Sequence, residues 1–277
     1  MSTVGESTLR LMAATEKSSG KLRKATTSRG ATIAAFIIAA VWTIPTFGLF
    51  VSSFRQADDI KTTGWWTALS NPSFTLDNYV QAFASGDSLP LSKAFLNSLV
   101  ITIPAAIVPI LIASLAAYAF AWINFKGRNT LFVLIFALQI VPIQMALVPL
   151  LQLFSDGVKI GGLYILPGLG VNGLDGAYAK VWIAHTIFAL PLAIFMLHNF
   201  ISEIPDEVIE AARVDGAGHG KIFSKIVLPL SMPAIASFVI FQFLWVWNDL
   251  LVATVFTSGG ELPITKALQD LSGTYGQ

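Results

Sequence analysis

Glu210-Ala211-Ala212-Arg213-Val214-Asp215-Gly216, followed nine residues later by Ile226-Val227-Leu228-Pro229, is a polar insert between long apolar segments. Pro205, with Asp206 and Glu207 directly after it, marks a helix start, because proline suits the first turn and acids there complement the helix dipole. Gly216 marks its end. Val208, Ile209, Ala211 and Ala212 can share one flank of this helix while Glu207, Glu210 and Arg213 take the other, which makes it amphipathic. A helix of two or three turns is marginal in water. It therefore needs a partner surface, either lipid headgroups or a groove in another protein, and its small alanines favour a groove.

Composition places this insert in a membrane protein. The 277 residues are 55% hydrophobic and only 12% charged, with a mean hydropathy of +0.70, far from the soluble norm of about a quarter charged. There are no cysteines, which excludes disulfides, thiolate catalysis and cysteine-bound metal.

Residues 1–30 are rich in Ser, Thr, Lys and Arg and read as a cytoplasmic tail; 31–277 read as an all-α, polytopic membrane helix bundle. Five spans are expected, at about 31–54, 95–121, 130–154, 181–200 and 232–256, with the loop 201–231 between the last two. Each is long enough as a helix to cross about 30 Å of hydrocarbon. The first is too long for a signal-peptide core and is followed by no small-residue cleavage pattern, so it is expected to stay; Pro45 should kink it. Residues 55–93 read as a loop with one or two surface helices, Trp65 and Trp66 suiting the interface. The third span, with Pro142 and Pro149, should bend. Residues 156–179 read as a loop, and 257–277 as a polar tail too short of apolar residues to cross. With the amino terminus inside, eleven of the seventeen Lys and Arg fall on the inner side, which sets the orientation and puts 201–231 in the cytoplasm.

Two phosphate-site spellings fail on inspection. Gly168 to Gly173 fits G-x-G-x-x-G but has neither a preceding parallel strand nor an acid about 20 residues on. Gly216 to Lys221 resembles a P-loop, but the first required glycine falls on Asp215 and Ile222 stands where Ser or Thr would hold magnesium.

The pattern Glu-Ala-Ala, three residues, Gly, nine residues, Ile, one residue, Leu-Pro resembles the coupling loop of permease subunits of binding-protein-dependent ABC importers. Glu210, Ala211, Ala212, Gly216, Ile226, Leu228 and Pro229 match every fixed position, and Ile204-Pro205 and Asp215-Gly216-Ala217 are similar to the carbohydrate-uptake, maltose-type branch. Leu268 to Gln277 resembles members handling glucosides. The resemblance implies a second permease, two ATPase subunits whose groove takes the 205–216 helix, an extracytoplasmic binding protein and a sugar substrate, in a bacterial-type inner membrane. It implies no cofactor in this chain and no nucleic-acid partner; ATP and magnesium belong to the ATPase subunits. The family core has six spans with both termini inside, whereas five are expected here, so Gln277 is expected outside and a further span to be needed for activity.

No Ser/His/Asp set, metal-spaced histidines or paired carboxylates make a case for catalysis. His185 reads as an interhelical hydrogen-bonding group or as a group near the pathway, and His198 as interfacial. Asp249 is the one acid inside an expected span and should not face lipid; with Asn248 it either lines a substrate path or lies among headgroups. Gln139 and Gln144 either pack helices or line a polar path. A secondary, ion-gradient-driven transporter is the alternative function, since it too uses broken helices and buried polar groups.

Overall fold

The computed structural model describes residues 29–84, 90–166, 168–169, 177–257 and 261–275. The expected tail thus lies outside the described residues except for its last two. The chain divides into two compact units, Met1–Ala82 and Phe83–Gln277.

In the first unit α1, Arg29–Ser53, is apolar all round and runs through Pro45 as one helix. Its side chains are largely exposed, as on a helix that faces lipid or another membrane protein. Short helical pieces follow, α2 (Ala57–Thr62), a 3₁₀ turn (Trp65–Leu69) and α3, Asp77–Ala84, one more than expected. Buried Arg55 ties them together, donating to the Asp59 carbonyl at 3.3 Å, the Thr63 carbonyl at 3.4 Å and the Thr67 hydroxyl at 3.1 Å. A buried guanidinium is tolerated only when its donors are used in this way.

The second unit is built on α4 (Leu91–Trp122) and α7 (Ala177–Ile201). Ala105, Ala113 and Ala117 of α4, and Ala184, Ala189 and Ala193 of α7, are buried. Such small residues let two backbones approach closely, where van der Waals contact holds membrane helices together without a hydrophobic effect. The pair is pinned near its other end by Tyr178, whose hydroxyl donates to Asn97 Oδ1 at 2.7 Å, and by Trp182, whose indole N–H donates to the Val100 carbonyl at 2.9 Å. Against the pair packs α10 (Leu228–Trp247).

Among the described residues four helices are long and apolar enough to cross a membrane, Arg29–Ser53, Leu91–Trp122, Tyr178–Ile201 and His219–Trp247. The expected bent span 130–154 is made of two helices, α5 (Arg128–Ala137, prolonged by a 3₁₀ turn to Ile140) and α6 (Ile143–Asp156), which meet at 104° and are together apolar enough for one broken span or a re-entrant loop. The cause is Pro142: it drives Val141 out of the helical region, to φ −72° and ψ 118°, so the chain turns rather than kinks.

The expected fifth span, 232–256, is shifted. The helix starts far earlier, as α9 (His219–Ile222), passes through a π turn at Phe223–Val227 and continues as α10, so the second half of the loop 201–231 is helical. Pro229 has no N–H to return to the turn before it, and the wider π turn takes up the mismatch. At the other end the helix stops at Trp247, and a separate short helix, α11 (Leu251–Phe256), follows. The expected loop 156–179 contains a small antiparallel hairpin, β1 (Val158–Ile160) with β2 (Leu163–Leu166). The expected polar tail 257–277 holds a helix, α12 (Ile264–Tyr275). It docks because the Ile264 N–H donates to Ser98 Oγ at 2.8 Å and Ala267 is buried, while Lys266 and Asp270 pair at 2.7 Å one turn apart.

Candidate functional site

The helix of the polar insert, α8, spans Asp206–Val214 with Pro205 at its N-cap. Its end is a Schellman cap: the Ala217 N–H donates to the Ala212 carbonyl at 2.9 Å and the Gly216 N–H to the Arg213 carbonyl at 3.0 Å. Gly216 takes φ +78° to make it, while the space where a Cβ would stand is open. Glycine is therefore required here by backbone conformation and not by crowding.

The apolar flank expected from the sequence divides in two. Ile209 and Ala212 point inward and are buried among Tyr118, Phe120, Leu197, Ile201, Ile222 and Val227. Val208 and Ala211 point outward, together with Glu207, Glu210, Asp215 and Val214, the last 87% exposed. At 100° per residue the four lie on one arc in the order 211, 208, 212, 209, and its 212–209 edge is the one turned inward. Arg213 Nη2 donates to the Trp122 carbonyl at 3.3 Å and straps α8 to the end of α4, and His219 Nδ1, 2.8 Å from the Tyr118 hydroxyl, holds the start of α9 to the same helix. Ile226 and Leu228 pack against the same core, and Pro229 is exposed beside them. Of the motif residues, Glu210, Ala211 and Asp215 thus make outer surface, and Ala212, Ile226 and Leu228 make the seat beneath it.

A cavity of about 400 Å³ lies where the α5–α6 break meets the middles of α7 and α10. Phe188, Phe238, Phe241 and Trp245 form an aromatic wall, with Gln139 and Gln242 among the polar groups on it. Gln139 lies in the 3₁₀ turn at the break. Gln242 is 1% exposed, and its Nε2 donates to the Ala105 carbonyl at 3.3 Å. Gln144, Asn248 and Asp249 are not part of the lining, and Gln144 is exposed just beyond the break. Gln242 escaped the reading of the sequence, although an amide in a charge-free apolar run is the same signal that singled out Gln139.

Asn248 ends α10 with its Nδ2 donating to the Leu244 carbonyl at 2.7 Å. Asp249 lies two residues before α11, and its carboxylate accepts from the N–H groups of Val252 at 3.3 Å and Ala253 at 2.9 Å. Asp249 Oδ2 is also 3.6 Å from His185 Nε2, with the two side chains 10% and 1% exposed. His185 stands edge-on to Trp245, 5.5 Å between ring centres. The carboxylate serves as a helix cap, and the Asp249 carbonyl accepts from Thr265 Oγ1 at 2.9 Å. Asp249→Asn, which can still cap, should leave the thermal stability of the purified protein within about 0.5 kcal/mol, whereas Asp249→Leu should lower it by about 1–2 kcal/mol. Equal losses in the two variants would show that capping is not what the carboxylate supplies.

Of the G-x-G-x-x-G spelling, Gly170 and Gly173 lie outside the described residues. Gly168 lies against the end of α6, where a Cβ would come within 2.5 Å of the Ser155 carbonyl oxygen, so it serves a close backbone approach.

A bundle of membrane-crossing helices with a strapped, outward-facing helix at one end and an aromatic cavity between broken segments is the architecture of a multi-pass transport permease. Residues 109–276 match the family of binding-protein-dependent transport system inner membrane components, and the chain belongs to that family. It is 47% identical over 251 residues to the osmoprotective compounds uptake permease protein GgtD of Synechocystis, covering 88% of this chain and 78% of that protein. It is 45% identical to the alpha-glucoside transport system permease protein AglG of Rhizobium meliloti, over 81% of this chain and 58% of that one. A crystal structure of a bacterial ABC transporter that imports the polysaccharide alginate superimposes with a TM-score of 0.61 at 17% identity, over 88% of this chain and 81% of the chain matched, a likeness of fold. The protein is thus an inner-membrane permease component of a binding-protein-dependent importer and not itself an enzyme.

Proposed function

We propose that this chain forms half of the translocation path of an ATP-driven sugar importer and takes its power stroke through the 205–229 loop. The observation that carries this is the division of α8, one stripe buried in its own bundle and the other left exposed. A helix fixed to the bundle by Ile209, Ala212 and Arg213 can pass a push on its outer face directly to α4 and α10. A pair of ATPase subunits, binding ATP and magnesium, would supply that push, and a second permease would complete the path. This chain would carry no nucleotide site of its own, since Gly216 is used in a helix cap and Gly218 to Lys221 open a helix. The charge distribution supports an amino terminus and an α8 on the cytoplasmic side.

The substrate class proposed is a glycoside, in keeping with the alpha-glucoside relative at 45% identity. The cavity offers what a pyranose needs, aromatic faces for its C–H surface and amides for its hydroxyls. Gln139 and Gln242 are the polar groups proposed to face it, with Gln144 and Asn248 as candidates further along the path. Cysteine in place of Gln139 should react with a small aqueous thiol reagent and be protected by trapped substrate by tenfold or more. Reaction unaffected by substrate and by ATP would remove the cavity from the path.

The docking part is tested by Val214→Cys in the assembled importer. A short bifunctional crosslinker should join it to an ATPase subunit, and an Ile209→Cys control should stay unjoined because that side chain is buried. A reversed pattern, or no joining at either position, would overturn it.

A further inference from the structure

Beside the seat of α8, sharing Phe120 with it and separate from the aromatic cavity, a recess of about 440 Å³ opens between the ends of α4 and α7 and the start of α5. Its lining includes Arg128, Asn129, His198 and Ser202 on an aromatic base of Phe120 and Phe132. Beyond Arg128 the surface continues into a second recess that reaches Lys126 and Thr130. Among the described residues no Asp or Glu lines either one. Arg128 spends one donor on Asn124 Oδ1, at 3.1 Å, and a guanidinium has five. His198 lies over Phe132, 4.4 Å between ring centres, and its buried Nδ1 has no hydrogen-bond partner.

Position decides what such a recess can hold. It lies where α4 ends at Trp122 and α7 ends at Ile201, at the depth at which spanning helices leave hydrocarbon for headgroups. From it, α5 presents Val133 outward, and Phe136, stacked on Phe195 of α7 with 4.4 Å between ring centres, keeps an exposed face beside it. Cations and small polar groups at the rim, followed by an apolar flank along the helix, have the order of charge and apolarity of a phospholipid. We infer that this recess takes the phosphodiester headgroup of an anionic membrane phospholipid, with Arg128 and Lys126 as its cations and the acyl chain along the Val133 and Phe136 flank of α5. The lipid bridges α5 to α7 one turn from the Trp122 carbonyl on which Arg213 holds α8, and so braces the seat of the coupling helix.

The test is native mass spectrometry of the assembled importer, exchanged from detergent into phosphatidylcholine with added palmitoyl-oleoyl phosphatidylglycerol. Phosphatidylglycerol should be retained on the complex, and Lys126→Gln/Arg128→Gln should weaken that retention about tenfold or more, each lost cation near a lipid surface being worth several-fold. Lys225→Gln, a cation at the same end outside the recess, should leave it unchanged. Lys126→Gln alone, at an exposed position, gives a smaller loss in a chain whose folding is not at issue. Retention equal in all variants would overturn the inference. So would displacement of phosphatidylglycerol by millimolar inorganic phosphate, which would make this a free-anion site. Variants that keep the lipid but lose the ATPase subunits would instead make the patch a protein interface, and would equally overturn it.

Discussion

Gly216→Val should abolish ATP-dependent uptake while leaving the chain in the membrane. Gly216 is at φ +78°, a region that a β-branched residue enters only at a cost of about 1–3 kcal/mol. Because a Cβ there would meet nothing, that cost has one source, the Schellman cap formed with Ala212 and Arg213. The helix it closes has nine residues, too few to hold its shape without its ends. Relaxing the cap moves Val214 and Asp215 on the outer face, while Ile209 and Ala212 stay in the core. Uptake should therefore fall more than tenfold with membrane insertion unchanged. Gly216→Asn should keep most of the activity, since asparagine visits the left-handed region at small cost. The check is uptake by reconstituted importer beside the yield of inserted permease; a valine variant that transports normally would remove the cap from the account.

Ile209→Asp should have the largest effect on assembly. The side chain is fully buried in an apolar cluster that includes Leu197, Ile201, Ile222 and Val227, surroundings that cannot solvate a carboxylate. Burying an unpaired charge costs several kcal/mol, a large share of a typical domain's stability, so α8 must leave its seat. The complex should then fail to form or should lose its ATPase subunits on purification. Val214→Asp, five residues on and exposed, should fold normally and show its defect only in ATPase binding. Thermal unfolding of the two variants separates them: a similar melting temperature for both would mean that the two stripes of α8 are not differently placed.

The features of α8 most legible in the sequence are its ends, because Pro205 and Gly216 act through their own backbones and need no tertiary partner. The division of its apolar flank was not legible. Val208, Ile209, Ala211 and Ala212 are alike in polarity, and only the packing of Ile209 against α7 and the π turn tells inward from outward. Prolines gave the place of the α5–α6 break but not its 104°, because Pro142 forbids the helical region to Val141 without choosing the angle at which the chain leaves it. His219, Lys221 and Lys225 disguised the first turns of the α9–α10 helix as loop, since charges that lie at a membrane surface read the same whether or not the backbone is helical. Likewise α12 was hidden by Lys266 and Asp270, a one-turn ion pair that is itself a helical signal. Asp249 was singled out by its charge, and its cap on α11 follows from the helix ending at Trp247.

In the proposed function, nucleotide hydrolysis in partner subunits drives transport by acting on α8. Substrate uptake into proteoliposomes containing the assembled importer and its binding protein tests it most directly, with ATP trapped on the side of the ATPase subunits. Uptake should require ATP, persist when ion gradients are collapsed, and disappear with Gly216→Val. Uptake driven by an imposed ion gradient in the absence of ATP, and indifferent to that substitution, would contradict it.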